Sequence, residues 1–159
     1  MRSPRTQTQA VVALIVAVAA VAIALVATQP PSNPPPGPGG SCRGSAQCFT
    51  SVVTNVVDGD TLDVGSTRIR LALVDTPEVG EPGYEEARDF TANTCPVGSS
   101  ALVDEDDGQT GGSYGRIVAV VWCHGVNLSA ELLRTGYAEF VPQFCAVSEF
   151  AREPWSECP

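Results

Sequence analysis

Residues 61–78 read TLDVGSTRIRLALVDTPE. Two runs rich in β-branched and apolar residues, 61–64 and 67–74, flank Gly65-Ser66, a Gly-containing two-residue connection that predicts a β-hairpin. In the second run Arg68, Arg70 and Ala72 fall on one face, and Ile69, Leu71 and Leu73 on the other. Pro77 ends the strand, because it has no N–H to give a ladder. The stretch therefore delivers two arginines along a strand and then Asp75, Thr76 and Glu78 at its end.

Outward from this hairpin the pattern stays β-rich. Residues 49–57 predict a first strand that runs into Asp58-Gly59-Asp60, 100–104 a fourth, and the Val/Ile-rich 116–123 a fifth. Between them, 84–94 has helical composition with Glu85, Glu86 and Asp89 toward its start, where the helix dipole favours acids. Asn127 or Leu128 opens a second helix through Arg134, with Gly136 as its C-terminal stop. Residues 143–152 suggest a third, stopped before Pro154. Five strands and few helices suit a small closed β-barrel.

Three clusters carry chemistry: Asp58-Gly59-Asp60-Thr61, Arg70 through Glu78, and Tyr114-Gly115-Arg116. Asp60, Asp75 and a backbone carbonyl at Thr76 are the oxygen donors that Ca²⁺ accepts. Arg70 and Arg116 stay charged near neutral pH and present a planar fork to phosphate oxygens. Glu78 remains as a carboxylate free to orient or deprotonate water. Asp-Gly-Asp taken alone is an ordinary turn sequence, and a strand arginine is often a solvated face. The order and company of the clusters make the stronger reading.

On these residues, and on the helical stretch LSAELLRTG at 128–136, the chain resembles the thermonuclease (staphylococcal-nuclease-like) family of Ca²⁺-dependent nucleases. The resemblance runs from about Val52 to Phe140. It implies an OB-fold barrel of five strands with three helices, in a β-rich α+β class. It further implies metal ligation by Asp60, Asp75 and Thr76, catalysis by Arg70, Glu78 and Arg116, substrate contact by Tyr114, and a supporting role for Asp58. The implied activity is hydrolysis of DNA and RNA with little sequence preference, leaving 3′-phosphorylated products, with single strands preferred. The chain departs from the family pattern in a short lysine-free segment at 79–83, in Ser113 where a basic residue is usual, and near Pro142 where a substrate-packing tyrosine is expected. A rival reading is a catalytically inactive nucleic-acid- or protein-binding OB-fold module.

Residues 11–27 are only Val, Ala, Leu and Ile, behind Arg2 and Arg5. As a helix they would span about 26 Å, close to a ~30 Å hydrocarbon core. Residues 1–28 thus predict a signal anchor or a cleaved signal peptide, with the remainder outside the membrane. Six prolines within 29–40 predict an extended linker. The domain is expected at 41–159, as a monomer, tethered at the extracellular face of the membrane or secreted. All six cysteines lie in it, which in an exported domain reads as disulfides. The sequence allows fifteen pairings; the one we favour is Cys42–Cys48, Cys95–Cys123 and Cys145–Cys158.

Every basic residue is Arg, and all 18 acidic residues follow residue 41 beside seven of the nine arginines. So acidic a domain lacks the basic footprint of most nucleic-acid binders. Attraction for a phosphate must then be local.

Overall fold

The structure is a computed structural model, and it describes residues 40–159. The expected N-terminal helix and nearly all of the Pro/Gly-rich linker lie outside these residues.

A nine-residue strand, β1 (Cys48–Val56), is long enough to serve two neighbours. It pairs antiparallel with β2 (Thr61–Val64) on one side and with β5 (Ser100–Glu105) on the other, and its register shifts between Val53 and Asn55. Such a bulge bends a strand and lets the sheet curl. β2 turns back into β3 (Thr67–Leu71) through Gly65, whose φ of +62° suits the hairpin. β5 pairs antiparallel with β6 (Ile117–Cys123), which also pairs with the two-residue β7 (Val126–Asn127), and β6 meets β3 in parallel, Ile69 opposite Ile117. That last pairing closes five strands into a barrel consistent with an OB-fold, and it removes the open sheet edges.

The barrel interior follows from strand alternation. Val53, Leu62, Val64, Ile69, Leu71, Val103, Ala119 and Val121 are buried in one core. Two α-helices add to it. α1 (Tyr84–Thr94) carries Glu85 and Glu86 in its first turn, and the bond between Cys95 and Cys123 ties its end to β6. α2 (Leu128–Thr135) begins where the Asn127 side chain accepts from the Ala130 N–H and ends at Gly136 in the left-handed region. Leu128 and Leu132 enter the barrel core from it. The other disulfides join Cys42 to Cys48 at the domain's start and Cys145 to Cys158 at its end.

Two expectations change. The run 67–74 is not one strand: β3 stops at Leu71, and a second short strand, β4 (Val74–Asp75), pairs with β8 (Glu139–Phe140) in a separate two-stranded sheet. The Ala72 N–H still bonds to the Ala119 carbonyl, but Leu73 has a φ of +63°, uncommon for a residue with a Cβ. Ala72 therefore does not share the arginine face. It is buried with Leu73, Val118, Val120 and Phe150 in a second core outside the barrel, with Trp122 and Trp155 packed against it. The step from the barrel to β4 turns the following acids toward the barrel rim.

The expected third helix over 143–152 is instead two 3₁₀ turns, Pro142–Phe144 and Glu149–Arg152. Ser148 interrupts it, since its Oγ accepts from the Phe150 N–H and starts the second turn anew. Phe150 then drops into the second core. The barrel carries two α-helices among the described residues.

Candidate active site

The turn 58–61 is built for its neighbours. Asp58 accepts from the Asp60 N–H at 3.1 Å, an Asx turn that sets the direction of the next residue. Gly59 is buried, and a Cβ there would come within 2.8 Å of both the Thr76 side chain and Ala87 of α1. The Thr91 hydroxyl donates to the Gly59 carbonyl at 2.5 Å. Helix α1 and the β4 approach thus close on this glycine from two sides.

Asp60 comes next, only 4% exposed. Its Oδ2 accepts from the Thr76 N–H at 2.8 Å and the Thr76 hydroxyl at 3.1 Å, and lies 2.6 Å from Arg70 Nη1. Its Oδ1 accepts from the Thr61 hydroxyl at 3.2 Å. Burial raises the Asp60 pKa to about 6, outweighing the Arg70 charge and the Thr76 bonds that pull it down. The same Arg70 donates through Nη2 to Asp75 Oδ1 at 2.5 Å and through Nη1 to the Val74 carbonyl at 2.9 Å. One guanidinium therefore gathers Asp60 and Asp75 from separate segments. Asp75 is the outward member, its side chain 60% exposed against 17% for Arg70.

Arg116 reaches the same place from another loop. Ser113 and Arg116 exchange both backbone hydrogen bonds around Tyr114 and Gly115, whose φ values are +52° and +79°. Those signs mark a type I′ turn, which demands positive φ at both central residues. The Arg116 side chain donates from Nε to the Ser113 carbonyl at 3.0 Å, from Nη2 to the Ser113 hydroxyl at 3.2 Å, and from Nη1 to Thr61 Oγ1 at 3.2 Å. It makes no ion pair among the described residues, so its charge is available to a ligand. Thr61, which the motif reading passed over, links Arg116 to Asp60 through one hydroxyl; its signal was its place directly after Asp60.

A cleft of about 350 Å³ opens over these groups, lined by Arg70, Asp75, Glu78, Tyr114 and Arg116 among others. Glu78 is exposed, its N–H tied to the Glu81 carboxylate at 2.8 Å, and its own carboxylate has no partner among the described residues. Asp60 and Thr76 are buried and are not among the residues that line the cleft. Tyr114 is wholly exposed.

The donor set suits a hard cation. Asp60 and Asp75 offer only oxygen, and a desolvated carboxylate with its pKa pushed upward has a deficit of positive charge that a divalent ion would fill. Arg70 holds the two carboxylates near one another, each already paired with a guanidinium nitrogen. Among the described residues, the one place where three His, Cys, Asp or Glu ligand atoms converge is Cys42, Cys48 and Asp104, away from the cleft. Both of those sulfurs are spent in a disulfide.

Fold and site together define a small β-barrel protein with an acid–arginine cleft beside the barrel. Residues 68–152 match the staphylococcal nuclease homologue family, and the chain belongs to it. Asp60 precedes the matched span, and its membership of the site rests on its bonds to Thr76 and Arg70. The chain is also 30% identical over 94 residues to an uncharacterized protein of Bacillus anthracis, covering 54% of this chain and 44% of the relative. It spans less than half the length of that relative.

Proposed function

We propose that the domain is an exported, Ca²⁺-dependent nuclease that hydrolyses phosphodiester bonds of DNA and RNA with little sequence preference and leaves 3′-phosphorylated ends. The observation that carries this reading is the meeting of Arg70, Asp75, Glu78 and Arg116, from three separate loops and strands, on one open cleft. Membership of the family supports a nuclease-like activity. The apolar run at 11–27 and the three disulfides suit a domain outside the cytoplasm, tethered or secreted, acting as a monomer.

In this reading a phosphate diester docks against Arg116, whose fork is already held by Ser113 and Thr61 and so loses little freedom on binding. Arg70 presents its guanidinium from beside Asp75. Both cations offset the charge that grows on the phosphoryl oxygens as a fifth oxygen approaches phosphorus. Glu78 takes the proton of the attacking water; its O–P bond forms while the P–O5′ bond breaks, and the leaving oxygen is protonated from solvent. Asp60, Asp75 and the Thr76 carbonyl would hold Ca²⁺. Bound there, it would supply positive charge for the phosphoryl oxygens and lower the pKa of water.

The test is digestion of 5′-labelled single-stranded DNA and RNA by the full chain with its disulfides intact. The reading expects ladders of 3′-phosphorylated fragments in Ca²⁺. Binding of both strands with no cleavage would overturn it, and would instead mark a catalytically inactive nucleic-acid-binding barrel.

A further inference from the structure

We propose that a second groove beside the cleft is a phosphate subsite for an extended single strand, with Arg68 as its cation. This rests on the nuclease reading above and adds to it the direction in which a polynucleotide leaves the reacting centre.

The groove, about 460 Å³, is lined by Thr54, Asp63, Ser66 and Arg68 of the β1–β3 meander and by Tyr114 and Arg116. Tyr114 and Arg116 also line the cleft, so the two concavities share a wall. Arg68 and Arg70 are two residues apart on β3, which puts them on one face about 6.6 Å apart. Ile69 pairs with Ile117, so the preceding residues Arg68 and Arg116 enter the β3–β6 seam at the same end. Three of the seven arginines beyond residue 41 therefore cluster at one end of this seam, Arg70 on the cleft, Arg68 on the groove and Arg116 on both.

Arg68 is presented rather than spent. Asp63 grips it through Nε at 2.7 Å and Nη2 at 2.9 Å, leaving Nη1 with no partner among the described residues. A guanidinium fixed in this way has lost most of its rotamer freedom before a phosphate arrives. Between the groove and the cleft stands the Tyr114 ring, fully exposed on a turn where a bulky residue is unusual. An uncovered aromatic between two phosphate-sized cation sites is a platform on which a base can stack. The opposing charge is Asp63, whose carboxylate both positions Arg68 and weakens its pull on an anion.

This assignment separates Arg68 from a mere structural brace, because the two partners of the pair then act in opposite directions. The experiment uses the full chain carrying Glu78→Gln, so that bound strands survive, and follows fluorescence anisotropy of a labelled eight-residue oligothymidylate and a thymidine dinucleotide in Ca²⁺. Adding Arg68→Ala is expected to weaken octamer binding about three- to five-fold, the size of an exposed ion pair. It should also flatten the slope of log affinity against log salt by about 0.7, one phosphate contact on a single strand. Dinucleotide binding should not change. Adding Asp63→Asn in place of Arg68→Ala should tighten the octamer.

Equal changes for both ligands, parallel effects of Arg68→Ala and Asp63→Asn, or no binding of the octamer would each overturn the subsite. Hydrolysis of the dinucleotide by the wild-type chain checks the nuclease reading separately, since it needs the cleft and not the groove.

Discussion

Arg70 Nη1 lies 2.6 Å from Asp60 Oδ2, and the same side chain reaches across to Asp75. The pair is nearly dry on the Asp60 side. Breaking such a pair leaves a desolvated carboxylate without its cation, which costs more than the pair itself contributes. Arg70→Ala should therefore lower activity by about 10²–10³-fold and, by leaving Asp60 short of a partner, lower stability by about 1–3 kcal/mol in chelator. Parallel denaturant melts and rate measurements check both.

Glu78 stands at the opposite limit. It is exposed and its carboxylate supports no other group. Glu78→Gln should slow hydrolysis by about 10²–10⁴-fold with the melting curve unchanged. A loss of stability comparable to that of Arg70→Ala would show that its role is architectural.

Protonation of Asp60 sets a pH dependence. Its folded-state pKa of about 6 lies above the ordinary carboxylate value of 3.8 because burial penalises the charge. The metal-free fold then holds the proton over a range where the unfolded chain has released it. Stability is thus fully present below about pH 4 and declines as pH rises to about 6, by at most about 3 kcal/mol. Asp104 and Glu149, also raised by burial, add in the same direction. Asp63, lowered by its bond to Arg68, acts oppositely and loses its contribution as the pH falls. In the proposed Ca²⁺ site, binding would displace the Asp60 proton, so affinity should fall below pH 6 and proton release should accompany binding. Calorimetry in two buffers of different ionisation enthalpy measures that release.

Gly59 has a steric reason to be glycine. A methyl group there would press on Thr76 and Ala87 at 2.7–2.8 Å. Gly59→Ala should cost about 1–3 kcal/mol by overpacking and lower activity by separating Asp60 from Thr76. Amide exchange at Thr76, protected in the wild type by its bond to Asp60, reports the separation.

The disulfide between Cys95 and Cys123 closes a sequence separation of 28 and lies wholly inside the core. Replacing both cysteines by Ala should cost about 3–4 kcal/mol, more than replacing the Cys42–Cys48 pair, whose loop is only 6 residues. Thermal melts of the two double variants order them.

Periodicity made the barrel strands and both α-helices legible, because alternation and capping are local. Asn127 and Gly136 are examples, each doing its work within one turn. What escaped was set by distant partners. The break at Leu71 depends on β8, which begins 68 residues later at Glu139, and the dissolved third helix depends on where Phe150 must be buried. Asp60 could be picked out from its motif, but the Thr61 hydroxyl that joins it to Arg116 is visible only once the barrel has closed. Likewise, no spacing rule shows that Arg68 and Arg116 share an end of one seam.

The most direct measurement is the initial rate of single-strand hydrolysis as a function of free Ca²⁺, for the wild-type chain and for Asp75→Asn. The account predicts a saturable rise for the wild type, no activity in chelator, and a curve displaced to higher Ca²⁺ by the substitution. Hydrolysis that is indifferent to chelator, or a Ca²⁺ curve that Asp75→Asn leaves in place, would contradict it.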